Sequence, residues 1–292
     1  MPPNFKNVLI LYKKSAYEIY FLGKRSTFFR KGISFSRKEM NAFRQTHIRH
    51  YATLHKVEKL LSERDIKYKK FSRGQKVNFA SLDWVVTVGE DGTFLEAARV
   101  LKQQIIIGIN SDPRKSVGQF CIAHDEDLEG ILEKIFRGKF TIELLHRIKL
   151  NKRDLPAPIN VLNDLLICHQ NPAAMSRYHL TINGIGEEQR SSGIWIATAA
   201  GSTGAIYSAG GKILPPTSNK YQYEPRELYF GFRKLYQLKG GILSHQQTIK
   251  IKSLMRSGMI FVDGAHFKIP FEFGQKIIIS HSSEPLKMAK VS

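Results

Sequence analysis

Short apolar runs and amphipathic segments alternate along the first part of the chain. Four short runs, most of them continuously apolar, predict buried β-strands at residues 6–12, 68–71, 83–88 and 105–109. Three segments with apolar positions three or four apart predict helices at residues 37–62, 93–102 and 125–136. Strands that alternate with helices favour a parallel sheet covered on both faces. The pattern therefore predicts an α/β domain over residues 1–137.

The longest of these helices has a clear start signal. Ser36 and Glu39 have the spacing of a capping box, in which each side chain accepts the other residue's backbone N–H. We therefore expect the helix to begin at Arg37 and to end near Ser62.

The pattern changes after Gly138, where short segments of alternating apolar and polar residues replace the helices. Eight such segments predict strands at residues 140–145, 148–151, 161–169, 178–182, 193–198, 248–251, 259–262 and 276–280. Turn-forming pairs such as Asn183-Gly184 and Asp263-Gly264 favour antiparallel hairpins. We expect a β-rich, sandwich-like domain over residues 138–276, and a C-terminal tail, 277–292, that returns to the first domain.

The composition suits a globular protein without a membrane span. The chain has 292 residues, 42% of them hydrophobic, and no segment approaches the ~20 apolar residues that cross a bilayer. The first seven residues lead straight into a short apolar run, unlike a signal peptide. Two cysteines, Cys121 and Cys168, are too few for a disulfide framework, so the cytoplasm is the expected compartment.

The charge is strongly positive. Lys and Arg number 45 against 25 Asp and Glu, which gives a formal net charge of +20. Such a field attracts anionic partners, among them nucleotides, polyphosphate, nucleic acid and anionic lipid; the alternative is a general aid to solubility. The densest basic segment, residues 24–38, is predicted to be a mobile loop that either faces solvent or closes over phosphates.

Gly89-Glu90-Asp91-Gly92-Thr93 joins an apolar strand to a helix that is predicted to begin at Thr93. The two glycines permit positive φ angles and the close approach of another group. Free N–H groups at a helix start favour phosphate, and a carboxylate such as Asp91 is suited to accept a proton from a hydroxyl. The turn indicates phosphoryl transfer, although an ordinary helix cap accounts for the same residues.

Two polar groups lie at or within other apolar runs. Asn110 begins a turn, Asn110-Ser111-Asp112-Pro113, at the end of the next strand. In a parallel sheet it would face the same crevice as the glycine turn, or it is a plain turn of turn-forming residues. Asn163 and Asp164 interrupt an apolar run, so they either meet a polar partner or lie at a kink or an exposed edge.

Residues 191–211 lead from a strand into a loop of Gly, Ser, Thr and Ala. Small hydroxyl residues and bare backbone allow a nucleotide to lie against the chain, and the alternative is a packing loop of small residues. The loop matches neither Gly-x-Gly-x-x-Gly nor the Walker A pattern. Asp263-Gly264 by itself is typical of a hairpin turn.

The order of these motifs resembles the NAD kinase family from about Trp84 to Gly264. Residues 89–93 resemble the family's Gly-Gly-Asp-Gly-Thr, and Asn163-Asp164 resembles its Asn-Glu pair. Residues 198–211 resemble its Thr-Pro-Thr-Gly-Ser-Thr-Ala-Tyr stretch with the Ser-Ala-Gly-Gly that follows. The first element is shared with diacylglycerol and sphingosine kinases, whereas the stretch at 198–211 is far more specific.

The resemblance implies an NAD kinase-like fold and phosphoryl transfer from ATP or polyphosphate to the adenosine-ribose 2′-hydroxyl of NAD, giving NADP. Asp91 would be the catalytic base, Mg²⁺ would bridge the donor oxygens, and Arg147 would occupy a further family position. The residues implied to bind the substrates are Gly89, Gly92, Thr93, Asn110, Asn163, Asp164, Thr198, Ser202, Thr203, Ala205, Tyr207 and Ser208. The resemblance also implies a homodimer or homotetramer and no nucleic-acid partner.

Five residues depart from the family pattern: Glu90, Asp164, Ser192 and the pair Ala199-Ala200, which replaces Pro-Thr. Glu90 stands where the family has Gly and adds a negative charge beside the expected phosphate path, which Mg²⁺ would have to offset. Asp164 is one methylene shorter than the family's Glu, and Ser192 stands where many members have Asp. These differences concern donor preference and efficiency more than the fold.

Two other functions fit the same motifs. A lipid or sphingoid-base kinase would share the glycine turn and use the basic surface at anionic membranes. A catalytically weak NAD(P)- or polyanion-binding module would keep the fold but lose turnover through Glu90 and Ser192. The residues leave open the choice between ATP and polyphosphate and between NAD and NADH.

Overall fold

The computed structural model describes residues 5–23, 35–231 and 235–291. The chain forms two compact units: unit 1 comprises Met1–Ala97, Gln103–Glu143 and Lys287–Ser292, and unit 2 comprises Ala98–Lys102 and Leu144–Leu286. Most of the predicted basic loop, residues 24–34, lies outside the described residues. No helix in the described part of the chain is long and apolar enough to cross a membrane.

The described residues contain four α-helices and a π-helical turn at Glu18–Leu22. The helices are α1 (Arg37–Ser62), α2 (Asp91–Ala98), α3 (Leu128–Phe136) and α4 (Ala205–Ser208). The predicted bounds of α1 are confirmed. The Ser36 hydroxyl accepts the N–H of Glu39 at 3.2 Å, and Glu39 Oε2 accepts the N–H of Ser36 at 2.7 Å, so the capping box is complete.

The first six strands come from the first half of the chain: β1 (Val8–Tyr12), β2 (Tyr68–Ser72), β3 (Trp84–Gly89), β4 (Ile105–Asn110), β5 (Ala123–His124) and β6 (Thr141–Leu145). The next six are β7 (Ile148–Lys152), β8 (Ile159–Val161), β9 (Asp164–His169), β10 (Ser176–Ile182), β11 (Ile185–Ser191) and β12 (Ile194–Thr198). The remaining strands are β13 (Tyr221–Pro225), β14 (Gly241–Leu243), β15 (Ile249–Ser253), β16 (Gly258–Val262), β17 (Phe267–Pro270), β18 (Lys276–His281) and β19 (Leu286–Lys290).

The predicted bounds of two helices are wrong. Helix α2 runs from Asp91 to Ala98 rather than from residue 93 to 102. It stops early because Arg147 takes the carbonyl oxygens of Ala98 and Leu101, which would otherwise accept helical N–H groups. Helix α3 begins at Leu128 rather than at residue 125, because a turn precedes it in which the Asp127 carboxylate accepts the N–H of His124 at 2.7 Å.

The sheet of unit 1 has the order β2-β1-β3-β4-β19-β6, with β5 beside β4. Strand β1 pairs in parallel with β2 and β3, and β4 pairs in parallel with β3, β5 and β19. The predicted parallel α/β sheet is confirmed. Its core joins apolar residues of the strands, such as Val86, to Leu54 and Val57 of α1 and Leu132 of α3. The carboxyl ends of β2, β1, β3 and β4 therefore lie along one edge.

Unit 2 contains two antiparallel six-stranded sheets, and the predicted β-rich class is confirmed. One has the order β11-β10-β15-β18-β7-β8, and the other has the order β14-β13-β12-β9-β16-β17. A single core fills the space between them, with residues such as Leu150 and Ile251 from the first sheet and Leu165 and Ile260 from the second. This packing is that of a β-sandwich.

The predicted single strand over residues 161–169 is wrong. Strand β8 ends at Val161 and belongs to one sheet, whereas β9 begins at Asp164 and belongs to the other. Leu162 and Asn163 carry the chain between the two sheets. We call these two residues the crossing. Val161, Leu162 and Leu165 are buried on both sides of the break, so the apolar pattern continues across it and the polar pair Asn163-Asp164 is what marks it.

Candidate active site

Four parallel strands of unit 1 end side by side, and one residue or turn follows each. The N–H of Arg73, which follows β2, donates to the last carbonyl of β1 at 2.8 Å. The N–H of Lys13, which follows β1, donates to the carbonyl of Val88 at 3.2 Å, and the N–H of Ser111, which follows β4, donates to the carbonyl of Gly89 at 3.0 Å. These bonds hold two cations, the glycine turn and the loop after β4 in one row.

The glycines of the turn create space and do not supply left-handed backbone. Neither Gly89 nor Gly92 has a positive φ, so the positive φ that was anticipated is not used. A Cβ atom on Gly89 would lie 2.4 Å from Thr93 Oγ1, and one on Gly92 would lie 3.2 Å from an Arg73 guanidinium nitrogen. The predicted close approach is confirmed, and the groups that approach are side chains of unit 1 itself.

Asp91 lies in the first turn of α2 and is partly exposed. Its carboxylate oxygens accept the backbone N–H groups of Gln119 at 3.0 Å and Phe120 at 2.9 Å. Two donors from one loop fix the orientation of the carboxylate, and neither donor is titratable. A carboxylate that is fixed in this way and still reached by solvent can accept a proton from a hydroxyl group.

Asn110 and Thr93 are the buried members of the turn region. Asn110 pairs with Gly89 across β3 and β4, so the prediction that it lies beside the glycine turn is confirmed. Its side-chain amide donates to the carbonyl of Ser116 at 2.9 Å, and its Oδ1 accepts the N–H of Asp112 at 3.1 Å, which orders the following loop. Thr93 is fully buried, and its Oγ1 has no hydrogen-bond partner among the described residues.

Glu90 forms an ion pair with Lys13. The Lys13 side chain is 17% exposed and that of Glu90 is 39% exposed, so solvent reaches the pair from the Glu90 side. The added charge of Glu90 is therefore offset by the protein itself. Lys13 and Arg73 were not among the predicted site residues, although Lys13 directly follows the predicted strand 6–12 and Arg73 comes two residues after the predicted strand 68–71, where ligands bind in a parallel sheet.

His50 of α1 lies below the loop after β4. It is fully buried, and its Nδ1 lies 2.8 Å from Ser111 Oγ. Burial, followed by repulsion from the Lys13 charge, lowers the pKa of His50 to about 4, so the imidazole is neutral at pH 7. Beside it, Arg49 forms two hydrogen bonds to the buried Asp112 carboxylate at 3.1 and 3.2 Å. The loop is thus tied to α1 at two points.

In unit 2, the Asp263 carboxylate holds the crossing. Its Oδ1 accepts the N–H groups of Leu162 at 3.1 Å and Asn163 at 2.7 Å, and its own N–H donates to the carbonyl of Asp164 at 2.9 Å. The Asn163 side-chain amide donates to Asp164 Oδ2 at 2.9 Å. Both predictions for the Asn163-Asp164 pair therefore hold. The pair lies at a break between strands, and its side chains and backbone meet polar partners.

Asp164 and Asp263 are two buried carboxylates close to one another. Burial, reinforced by the Asp263 charge, raises the pKa of Asp164 to about 7. Burial also raises the pKa of Asp263 to about 6, although the backbone N–H groups and Arg99 favour its ionised form. Arg99 Nε lies 3.9 Å from Asp263 Oδ2. Asp263 is therefore the member of the pair that more strongly favours the ionised form.

The loop after β12 packs against the crossing. A Cβ atom on Gly201 would lie only 2.1 Å from the carbonyl oxygen of Asn163, so the loop requires glycine there. The Thr198 hydroxyl donates to the carbonyl of Leu162 and accepts the N–H of Gly201 at 3.0 Å. Ser202 Oγ accepts the N–H of Leu214 at 2.9 Å. The side chains of Thr198 and Ser202 are thus committed to internal hydrogen bonds.

The other predicted nucleotide-binding residues of this loop are exposed. They are Thr203, Ala205, Tyr207 and Ser208. Tyr207 is 54% exposed. A cavity of about 500 Å³ opens beside them, lined by Trp195, Ala205, Ser208, Ala209, Arg226 and Glu227. It offers an aromatic ring and a guanidinium group next to the small residues of α4.

Arg147 has a structural role. It is fully buried and donates to the carbonyl oxygens of Ala98 at 2.6 Å, Leu101 at 2.8 Å and Glu284 at 2.8 Å. Burial lowers the pKa of its guanidinium to about 10, which leaves it charged at pH 7. Three carbonyl acceptors compensate this buried charge and join segments 98–102, 147 and 284 of unit 2.

Known proteins are similar in sequence to this chain over most of its length. A probable NADH kinase of Oryza sativa subsp. japonica is 31% identical over 262 residues, which are 82% of this chain and 81% of the relative. The chain belongs to the NAD kinase family. The family model of the ATP-NAD kinase C-terminal domain matches residues 162–291. The NADH kinase of Arabidopsis thaliana is 29% identical over 79% of this chain and 80% of its own length.

The fold agrees with a solved member of the family. The crystal structure of an NAD kinase from Archaeoglobus fulgidus in complex with ATP superposes with a TM-score of 0.69. The match covers 97% of this chain and 92% of that one at 22% identity, so it concerns the fold alone. The NAD kinase-like fold implied by the sequence motifs is confirmed.

Proposed function

We propose that this protein is an NAD(H) kinase, which transfers the terminal phosphoryl group of ATP or polyphosphate to the adenosine-ribose 2′-hydroxyl of NAD or NADH. The observation that carries the proposal is Asp91, a solvent-accessible carboxylate fixed by two backbone N–H groups at the start of a helix in a member of the NAD kinase family. Because both plant relatives are named NADH kinases, the reduced dinucleotide is a substrate to test beside NAD.

Asp91 acts as the general base in this proposal. Its carboxylate accepts the proton of the 2′-hydroxyl as the oxygen attacks the terminal phosphorus of the donor. The bond from that phosphorus to the bridging oxygen breaks, and ADP or a shortened polyphosphate leaves. Phosphoryl transfer depends mainly on positioning and charge neutralisation. A base held in one orientation helps to position the attacking hydroxyl group. The proton then passes from Asp91 to solvent.

Asn163 and Asp164 hold the ribose hydroxyl groups. A carboxyl group whose pKa is about 7 accepts a hydrogen bond when ionised and donates one when protonated, so Asp164 suits a hydroxyl ligand in either state. The exposed residues of the loop after β12, Thr203, Ala205, Tyr207 and Ser208, line the nucleotide. Thr198 and Ser202 support that loop through their internal hydrogen bonds.

Mg²⁺ enters the reaction on the phosphates of the donor. Among the described residues no group of three or more His, Cys, Asp or Glu side chains could hold a metal ion. The described residues therefore fit a metal ion that enters with the phosphoryl donor better than one bound by the protein alone. A Mg²⁺ ion carried by the donor would supply neutralisation of the phosphate charge. Gly89, Gly92, Thr93 and Asn110 form the turn region that receives these phosphates.

The proposal extends to a cytoplasmic homodimer or homotetramer. Both cysteines are free and partly buried, and burial raises the pKa of the Cys121 thiol to about 12, which suits a protein without disulfide bonds. The oligomer follows from the family resemblance. Light scattering of the purified protein measures it directly, and a monomer at micromolar concentration contradicts this part of the proposal.

The test is a matrix of acceptors and donors. The purified protein is incubated with Mg²⁺ and either ATP or polyphosphate, and with NAD, NADH or diacylglycerol vesicles. NADP or NADPH is measured with an NADP-specific dehydrogenase. We expect product with a dinucleotide acceptor and at least one donor. Phosphorylated lipid without NADP would favour a lipid kinase, and the absence of product with every pair would contradict the proposed enzyme.

A further inference from the structure

Lys13 passes over the glycine turn. A Cβ atom on Gly89 would lie 3.3 Å from Lys13 Cγ as well as 2.4 Å from Thr93 Oγ1. The stem of the lysine therefore crosses the first residue of the turn, and its ammonium group ends on Glu90, the second residue. Lys13 is thus placed where an anion seated on the turn would meet it.

Arg73 lies against the second glycine of the turn. Its guanidinium lies over Gly92, and its Nε donates to Glu96 Oε2 at 2.9 Å. Glu96 Oε1 also accepts the N–H of Gly74 at 2.8 Å, so this carboxylate has a structural bond of its own. Each glycine of the turn therefore has a cationic side chain beside it. The Glu90 carboxylate, which pairs with Lys13, accepts no backbone N–H among the described residues.

Two buried polar atoms near the turn lack partners within the described residues. They are Thr93 Oγ1 and His50 Nε2, on side chains that are fully buried. A buried hydroxyl without a partner is costly, and native proteins usually satisfy such groups with protein, water or ligand. His50 lies near Lys13, whose charge helps to keep its imidazole neutral. A hydroxyl and a cation thus lie beside the same glycine, which is a site suited to phosphate oxygens.

We propose that Lys13 binds a phosphate group of the phosphoryl donor and that Glu90 competes with that phosphate for the Lys13 ammonium group. The inference rests on the proposed function for the identity of the donor. Before the donor binds, the carboxylate holds the lysine over the turn. A donor with several phosphates displaces it, because such a chain carries more charge and reaches both Lys13 and Arg73. A single phosphate lacks that second contact.

Glu90 therefore sets the affinity for the donor. Removing its charge frees Lys13, so binding of a polyphosphate chain should tighten. Removing Lys13 leaves Glu90 unpaired and repelling the phosphates, so binding should weaken. A charge-assisted hydrogen bond contributes roughly one to two powers of ten in affinity, so we expect about tenfold tighter binding for Glu90→Gln and at least tenfold weaker binding for Lys13→Met.

The experiment uses the whole protein and inorganic tripolyphosphate as the probe. Its dissociation constant is measured by displacement of a fluorescent ATP analogue, and KM is measured separately for ATP and for NAD. The variants are Lys13→Met, Lys13→Arg, Glu90→Gln and Glu90→Gly, the last restoring the family residue. Lys14→Met is the matched control, because Lys14 is the next residue and its side chain is 51% exposed. Glu63→Gln, at the end of α1, controls for the loss of a carboxylate.

The expected result is that Lys13→Met raises the tripolyphosphate dissociation constant and the KM for ATP, that Lys13→Arg restores much of both, and that the KM for NAD stays constant. Glu90→Gln and Glu90→Gly should lower both donor constants, and both controls should match the parent. Orthophosphate should bind at least tenfold more weakly than tripolyphosphate.

Equal tripolyphosphate affinity in the parent, Lys13→Met and Glu90→Gln proteins overturns the proposal. If the parent still forms NADP in that case, the proposed function stands and only this inference fails. If no donor supports turnover but tripolyphosphate binds in a Lys13-dependent way, the kinase function fails and the phosphate site stands. Unfolding curves for every variant exclude loss of the fold as the cause of weak binding.

Discussion

Units 1 and 2 each place a carboxylate next to an apolar strand, and the two carboxylates have opposite surroundings. Asp91 is partly exposed, and both of its oxygens accept backbone N–H groups. Asp164 is 5% exposed, and its side chain accepts one amide donor beside a second buried carboxylate, Asp263. The chemistry open to an aspartate therefore depends on the number of hydrogen-bond donors to its carboxylate and on its access to water. The residue type alone does not decide it.

The largest expected effect tests Asp91 as the base. We expect Asp91→Asn to lower kcat for NADP formation by at least ~10³-fold, because a general base contributes roughly 10²–10⁴-fold and the amide also turns one NH₂ hydrogen toward a backbone N–H donor. NAD binding, measured by calorimetry, should persist. Asp125→Asn is the control, since this exposed carboxylate lies before α3. Near-normal turnover in Asp91→Asn would remove Asp91 from the mechanism.

The second test removes Asp263, the carboxylate that holds the crossing beside Asp164. Asp263→Ala removes the acceptor for the N–H groups of Leu162 and Asn163 and leaves Arg99 without this partner. Buried donors without acceptors cost about 1–3 kcal/mol each, so we expect the free energy of unfolding to fall by about 2–4 kcal/mol in urea. The KM for NAD should rise about tenfold or more, with a smaller change in kcat. An unchanged KM would mean that the crossing does not position the acceptor.

The third test uses pH. The pKa of Asp164 is raised to about 7 in the folded protein, from an ordinary value near 4. A raised carboxyl pKa stabilises the fold below pH 4, and that contribution is lost as the pH rises through 7. The free energy of unfolding of the parent should therefore fall by about 2–4 kcal/mol more than that of Asp164→Asn between pH 4 and pH 7.5.

Two histidines change the free energy of unfolding in the opposite direction over the same pH range. Burial lowers the pKa values of His50 and His146, so their contribution is lost as the pH falls below about 6.5. Both proteins in the pH test carry these histidines, so the difference between the two unfolding curves reports Asp164 together with its coupling to Asp263. Parallel curves for parent and Asp164→Asn would show that the carboxyl group is solvated in the folded protein.

The smallest effect separates stability from chemistry in unit 1. Ser36→Ala removes the capping box of α1 and should lower the free energy of unfolding by about 1 kcal/mol. Turnover and both KM values should not change, because Ser36 lies more than three helical turns before Arg49 and His50, the α1 residues that contact the loop after β4. A loss of activity in step with the loss of stability would mean that the Asp91 effect also reflects a weakened unit 1.

Local signals predicted much of the secondary structure. The bounds of α1 follow from a capping box and an apolar stripe, and β3 and β4 follow from continuous apolar runs. Strand β11 was missed, since its sequence Ile-Gly-Glu-Glu-Gln-Arg-Ser is mostly polar. It forms because it pairs with β10 at the edge of a sheet after the Asn183-Gly184 turn, whose φ angles are 52° and 82°. Edge pairing of this kind leaves little trace in hydrophobicity.

Some residues of the candidate site were predictable from the sequence, and others were visible only in the structure. Asp91, Asn110, Asn163 and Asp164 were identified as candidates from their places at strand ends or within an apolar run and from motif order. Lys13 and Arg73 were not, because each becomes a neighbour of the turn only through the parallel order of β2, β1 and β3. The limits of α2 depended on Arg147, which comes nearly fifty residues after the helix ends.

The sequence by itself determined the family, the glycine turn with its aspartate, and the alternation of strands and helices, because these depend on residue type and short spacing. Only the tertiary structure decided what surrounds each charge. It paired Glu90 with Lys13, buried Asp164 beside Asp263, and committed Arg147 to carbonyl groups. The physical reason is that solvation and Coulomb energies depend on distances between residues far apart in the chain.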